Sequence, residues 1–177
     1  VTGVQTCALP ISRRQGAGIL DIVAATKLEA ILYNTNTKQA KLELGDQISN
    51  EFTMSFTLKN LTKDTLTYDT AVSLLTSEIV KGEKNQLFTL DSEYRLRNAT
   101  ITVVNQGSSG TGTRNINKYS SDYVTETVRL QPYEEKAISI QVKLGQEDID
   151  YLKQSINGTI LEGFIELRPH TVGKPIA

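Results

Sequence analysis

Residues 51–62 read EFTMSFTLKNLT. Phe52, Met54, Phe56 and Leu58 alternate with Thr53, Ser55, Thr57 and Lys59. Successive side chains of a strand point to opposite faces, so this period of two places one face in a core and the other in water. Residues 60–64 are a polar turn, and TLTYDTAVSLLTSEI (residues 65–79) is the next strand, with Leu66, Tyr68, Thr70, Val72 and Leu74 in register. Two such runs joined by five residues predict an antiparallel hairpin.

The same pattern continues outward in both directions. Upstream, GAGILDIVAATKLE (16–29) predicts a Gly-led turn and a short helix, with Ile19, Ile22 and Val23 on one face. Gly16 and Gly18 permit positive φ in that turn. ILYNTNTKQAKLELGD (31–46) predicts a turn-rich connection into a short strand over residues 40–44. Downstream, EYRLRNATITVVN (93–105) is extended, with Ile101 and Val103 sharing a face. Residues 106–122 form a long Gly/Ser/Thr/Asn loop, followed by two strands joined through Gln131-Pro132-Tyr133. In the second of these, Ile138, Ile140, Val142 and Leu144 alternate with Ala137, Ser139, Gln141 and Lys143.

GQEDIDYLKQSING (145–158) predicts a second short helix. Glu147 and Asp148 lie in its first turn, where the macrodipole favours anions. Ile149, Leu152 and Ile156 form its apolar stripe, and Asn157-Gly158 ends it. TILEGFIELRP (159–169) is a last strand stopping at Pro169. In it, either Leu161, Gly163, Ile165 and Leu167 or the Phe164 set faces the core, and Gly163 lets a neighbouring backbone or ring come close. About seven short strands with turns between them and two small helices predict an all-β antiparallel sandwich.

Composition narrows the function classes. The net charge is −1, which is no electrostatic footprint for nucleic acid. No apolar run reaches the roughly 20 residues that cross a bilayer as a helix. The single cysteine, Cys7, lies in the opening stretch VTGVQTCALPISRR, which is broken by polar residues and followed, not preceded, by arginines, so it is no signal peptide. Val1 to Ile11 resembles the conceptual translation of a sequencing-library adapter. Residues 1–12 are therefore expected to be an artefact, the remainder a fragment without cysteine. That remainder of roughly 165 residues is enough for one domain with a real core.

No catalytic constellation is visible. His170, the one histidine, sits in a Pro-flanked tail and reads as a surface residue. No Ser or Cys nucleophile is paired with a base, and no G-x-S-x-G elbow occurs. NQGSSGTGTR (105–114) lacks the Lys-Ser/Thr pair of a phosphate-binding loop. The acids of EDID (147–150) are explained by a helix start better than by a calcium loop. No catalytic residue, cofactor or metal ligand is assigned. Three Asn-x-Thr sequons, at Asn60, Asn98 and Asn157, mark candidate exposed loops. The candidates for interaction are Tyr119, Tyr123 and Arg114 in and beside the long loop, because aromatic and Arg side chains dominate interface hot spots.

Three groups of segments together resemble one family. RRQGAGILDIVAAT (13–26) resembles the closing stretch of a subtilisin-like catalytic domain. KLELGDQISNEFTMSFTLKNLTKDTLTYD (41–69) is similar to the first strands of the fibronectin type III-like domain that follows it. VRLQPYEEKAISIQVKL (128–144) and SINGTILEGFIELRP (155–169), with its Glu162-Gly163-Phe164-Ile165 motif, resemble the later strands. The family is the cell-envelope subtilases, including lactocepin-like and complement-cleaving peptidases, and the likeness runs from about Arg14 to Pro169.

The resemblance implies residues 13–27 as a catalytic-domain remnant, 28–169 as a fibronectin type III-like sandwich and 170–177 as the start of a further segment. It implies a parent serine endopeptidase that is secreted and held at the cell wall, with its triad upstream of Arg13 and therefore on no residue of this chain. The partners expected are the adjacent catalytic domain and its protein substrate. The alternative is a free-standing adhesion or ligand-binding sandwich on a bacterial surface.

Overall fold

A computed structural model describes residues 22–46, 49–105, 111–115, 124–155 and 158–170. Among them the chain forms α1 (Ile22–Ala25), β1 (Ala30–Asn34), β2 (Glu51–Asn60), β3 (Leu66–Lys81), β4 (Leu87–Arg95), β5 (Ala99–Asn105), β6 (Thr111–Asn115), β7 (Val124–Leu130), β8 (Glu135–Leu144), α2 (Gln146–Leu152) and β9 (Glu162–Pro169). The strands build two antiparallel sheets. One has the order β1-β2-β8-β5-β6, and in the other β4, β7 and β9 all pair with β3. This is the all-β sandwich that the alternation predicts, with nine strands among the described residues against about seven expected.

The alternating sets face inward as expected. Met54, Phe56 and Leu58 of β2 are buried and Phe52 packs against them. Ile138, Ile140, Val142 and Leu144 of β8 are buried, as are Ile101 and Val103 of β5. Tyr68, Val72 and Leu74 of β3, Val128 and Leu130 of β7, and Leu167 of β9 supply the opposing layer of the same core. Of the two faces open for β9, it is therefore the Leu161, Ile165 and Leu167 face that packs inward.

Three local expectations are corrected. β2 and β3 are not a hairpin. β2 pairs with β1 and β8 while β3 pairs with β4, β7 and β9, so residues 61–65 carry the chain from one sheet to the other. Alternation reports which face is buried, and the two partners of a sandwich arch bury their faces as fully as the partners of a hairpin. The first strand is Ala30–Asn34, not residues 40–44. β1 takes the free edge of β2, with Ala30 opposite Asn60 and Asn34 opposite Phe56, and the stretch 41–45 has no ladder left to join. The long loop contains β6, which pairs with β5 from Thr100 opposite Asn115 to Val104 opposite Thr111. Its Gly and Thr backbone completes an edge, which needs no large side chain.

β3 is the spine of the smaller sheet. β7 and β9 both pair with Tyr68 to Ala71, so they lie on opposite edges of it, and β4 pairs with its C-terminal half. At Gly163 the backbone of β3 comes close to β9, since a Cβ built on this glycine would lie 2.0 Å from the carbonyl oxygen of Ser73. The close approach expected at this glycine is an approach of backbone. Gly163→Ala should push β9 off β3 and cost about 1–3 kcal/mol, read as a lowered thermal midpoint with a weakened β9 ladder; an unchanged midpoint would mean that the two strands have room to part.

Candidate functional site

A chain crossing between the sheets exposes backbone groups that no ladder satisfies, and at three crossings among the described residues buried side chains satisfy them. Asn60, the last residue of β2, is fully buried. Its Nδ2 donates to the carbonyls of Asp64 at 2.7 Å and Gln131 at 2.9 Å. Its Oδ1 accepts from the Thr62 N–H at 2.8 Å and the Thr62 hydroxyl at 2.9 Å, and its own N–H donates to Glu134 O at 2.9 Å. One amide thus holds the β2–β3 crossing and the β7–β8 crossing together. The sequon at Asn60 therefore marks no exposed loop. Asn98 is half-buried, and Asn157 lies outside the described residues.

At the opposite end Asp148 plays the matching part. It is 3% exposed, and its two carboxylate oxygens accept the N–H groups of Arg97 at 3.1 Å and Asn98 at 2.8 Å, where the chain passes from β4 to β5. Placing it with Glu147 as a macrodipole acid misses this role, because nothing in the helical pattern tells that the carboxylate faces another segment. Burial pushes the Asp148 carboxyl above its usual value; the two backbone hydrogen bonds oppose that rise without cancelling it. Tyr151 of the same helix stacks on Tyr94 with ring centroids 3.7 Å apart and accepts the Ile79 N–H at 2.8 Å.

The Asn60 clamp shapes the surface at its end. Gln131 to Glu134 close a turn in which the Glu134 N–H donates to Gln131 O at 3.1 Å, with Pro132 second and Tyr133 third. Tyr133 has φ +57°, which makes this a type II turn, where glycine is the usual third residue. A bulky residue in that region costs about 1–2 kcal/mol. Tyr133 nevertheless stands there 65% exposed, held by its N–H to Thr62 O at 3.1 Å.

Beside it Leu61 is 41% exposed and donates its N–H to Glu29 O at 2.8 Å, next to the exposed Leu28. The exposed Ile22 and Val23 of α1 precede this segment closely in the chain. Burial, and then the charge of nearby Glu29, push the Tyr68 phenol up to about 12.

Tyr119 and Tyr123 lie outside the described residues, and so does Ile19. The backbone of Arg114 is opposite Ile101 on β6, an edge strand of the larger sheet. The candidates taken from the sequence are thus not brought into a described site. Tyr133 and Leu61 were missed by sequence reasoning, although a Pro-Tyr pair in a turn that favours glycine was the available signal. Among the described residues no group of three or more His, Cys, Asp or Glu side chains could hold a metal ion, and no helix is long and apolar enough to cross a membrane. Compared with known proteins, the chain matches no protein-family model and no curated protein.

The clamp and the carboxylate make separable predictions. Asn60→Asp keeps the acceptor but turns an oxygen toward the carbonyls of Asp64 and Gln131, so it and Asn60→Ala should each destabilise by at least about 2 kcal/mol. Chemical denaturation decides this, and an Asp variant as stable as wild type would show that the two carbonyls need no donor.

The fold raises the Asp148 carboxyl above its ordinary value, so its pH-linked contribution is full below that ordinary value and is lost as pH rises through the raised one. The stability of wild type relative to Asp148→Asn should therefore be greatest near about pH 3 and decline above it. A difference that grows with pH in denaturation curves would contradict the assignment.

Proposed function

We propose that the chain is a non-catalytic accessory domain of a secreted cell-envelope subtilisin-like serine endopeptidase. It positions the catalytic domain and shapes the access of protein substrates. The sandwich corresponds to the fibronectin type III-like domain that the segments from Arg14 to Pro169 resemble, and the protein works outside the cell, associated with the wall. Catalysis belongs to the upstream part of the parent enzyme.

The observation that carries this reading is the character of the N-terminal junction. Only residues 26–29 separate α1 from β1, and the Leu61 N–H holds the last of them to the sandwich. Such a connection is a mount and not a tether. Around it, Leu28, Leu61 and Tyr133 project apolar surface, and Ile22 and Val23 are 67% and 64% exposed on the helix that leads in. An upstream domain seated on this end would cover side chains that water otherwise meets. The strained Tyr133 turn fits the same use, because backbone strain persists where the surrounding structure enforces it and gathers at sites of function.

Two measurements test the reading. The reading frame upstream of Arg13 should encode the Asp, His and Gly-Thr-Ser motifs of a subtilase; a signal peptide directly before Gln15 would replace this proposal with a free-standing adhesion module. In the full-length enzyme, Leu61→Ser combined with Tyr133→Ser should leave the sandwich folded and slow cleavage of intact proteins more than of short peptides. Equal effects on both substrates would remove the role in substrate access.

A further inference from the structure

The last strand ends against the first half of β3. Pro169 lies opposite Tyr68 and Arg168 opposite Asp69, and the following residue, His170, donates its backbone N–H to Thr67 O at 3.0 Å. The imidazole reaches Asp69, with Nε2 2.6 Å from Oδ1. The same oxygen accepts the hydroxyl of Thr127 on β7 at 2.7 Å. One carboxylate on β3 therefore gathers a strand on one edge and the residue that closes the strand on the other.

On β9, Arg168 is held by Glu166 at 3.1 Å. On β7, Thr127 is neutral and Arg129 lies opposite Thr67. Of these side-chain types only histidine changes charge between pH 5 and 8, and His170 is the one histidine of the chain. Its side chain is 46% exposed. Burial raises the Asp69 carboxyl, but the hydrogen bonds from His170 and Thr127, together with the His170 charge, bring it below its usual value, so Asp69 is the standing anion of the pair.

We propose that Asp69 and His170 form a proton-sensitive latch on the end of β9. The imidazolium makes an ion pair as well as a hydrogen bond, whereas the neutral ring makes a hydrogen bond alone, and the charged form is the stronger of the two. In mild acid the end of the strand, from which residues 171–177 continue, is clamped to β3; toward pH 8 it frays more often. Partial exposure keeps the effect modest, about two- to fivefold in the local opening equilibrium.

Hydrogen exchange on the whole chain tests this. After correction for intrinsic exchange, the protection of the His170 amide should be about two- to fivefold greater at pH 5.5 than at pH 8. Asp69→Asn and His170→Gln should each bring that ratio to one, while the amides of β8 keep wild-type protection and so report an intact fold. A ratio of one in the wild type, or the same ratio in wild type and Asp69→Asn, would overturn the latch.

Discussion

The sandwich depends on one buried amide. A two-layer β structure without disulfides must pass its chain between layers, and every passage leaves peptide groups that neither sheet can pair. Asn60 meets that constraint at one end with two donated and two accepted hydrogen bonds, joining crossings that lie about seventy residues apart in the chain. An amide suits this place because it carries donors and an acceptor on a short stem. A carboxylate could not donate, and a hydroxyl could not span both carbonyls. Asp148 serves the other end, where both groups to be satisfied are N–H donors and an acceptor-only side chain is what they require.

These polar clamps also decide what the surface shows. Because the crossings are fixed, Tyr133 is held in a left-handed conformation and Leu61 is held beside residue 29, at the point where the chain enters the fold. The apolar junction is thus a consequence of the same amide that closes the core. Leu28, Leu61 and Tyr133 stand exposed together where the chain enters the sandwich. The opposite layer ends differently, with β9 closed by polar contacts to Asp69.

Much of the core was legible. The alternations of β2 and β8 found their buried faces, Ile101 and Val103 shared a face as expected, and Gly163 proved to be a point of close backbone approach. The site was far less so. Asn60 looked like part of a sequon in a polar turn, and a residue's neighbours along the chain do not tell that a carbonyl near residue 131 is waiting for its donor. Asp148 looked like a helix-start acid for the same reason. Tyr133 carried a signal, an aromatic where a turn favours glycine, but the signal has meaning only once the positive φ is seen.

What the sequence by itself determined is the binary pattern: which runs are extended, which of their faces is apolar, and hence that two sheets must close on one another. Those properties follow from the period of side chains along a single strand, which is local. Only the tertiary structure decided which strands pair, that residues 61–65 cross between layers, and that residues 30–34 instead of 40–44 complete the edge of β2. Pairing is settled by competition for a limited number of ladder edges and by buried polar groups finding partners far away in the chain, and neither leaves a periodic mark.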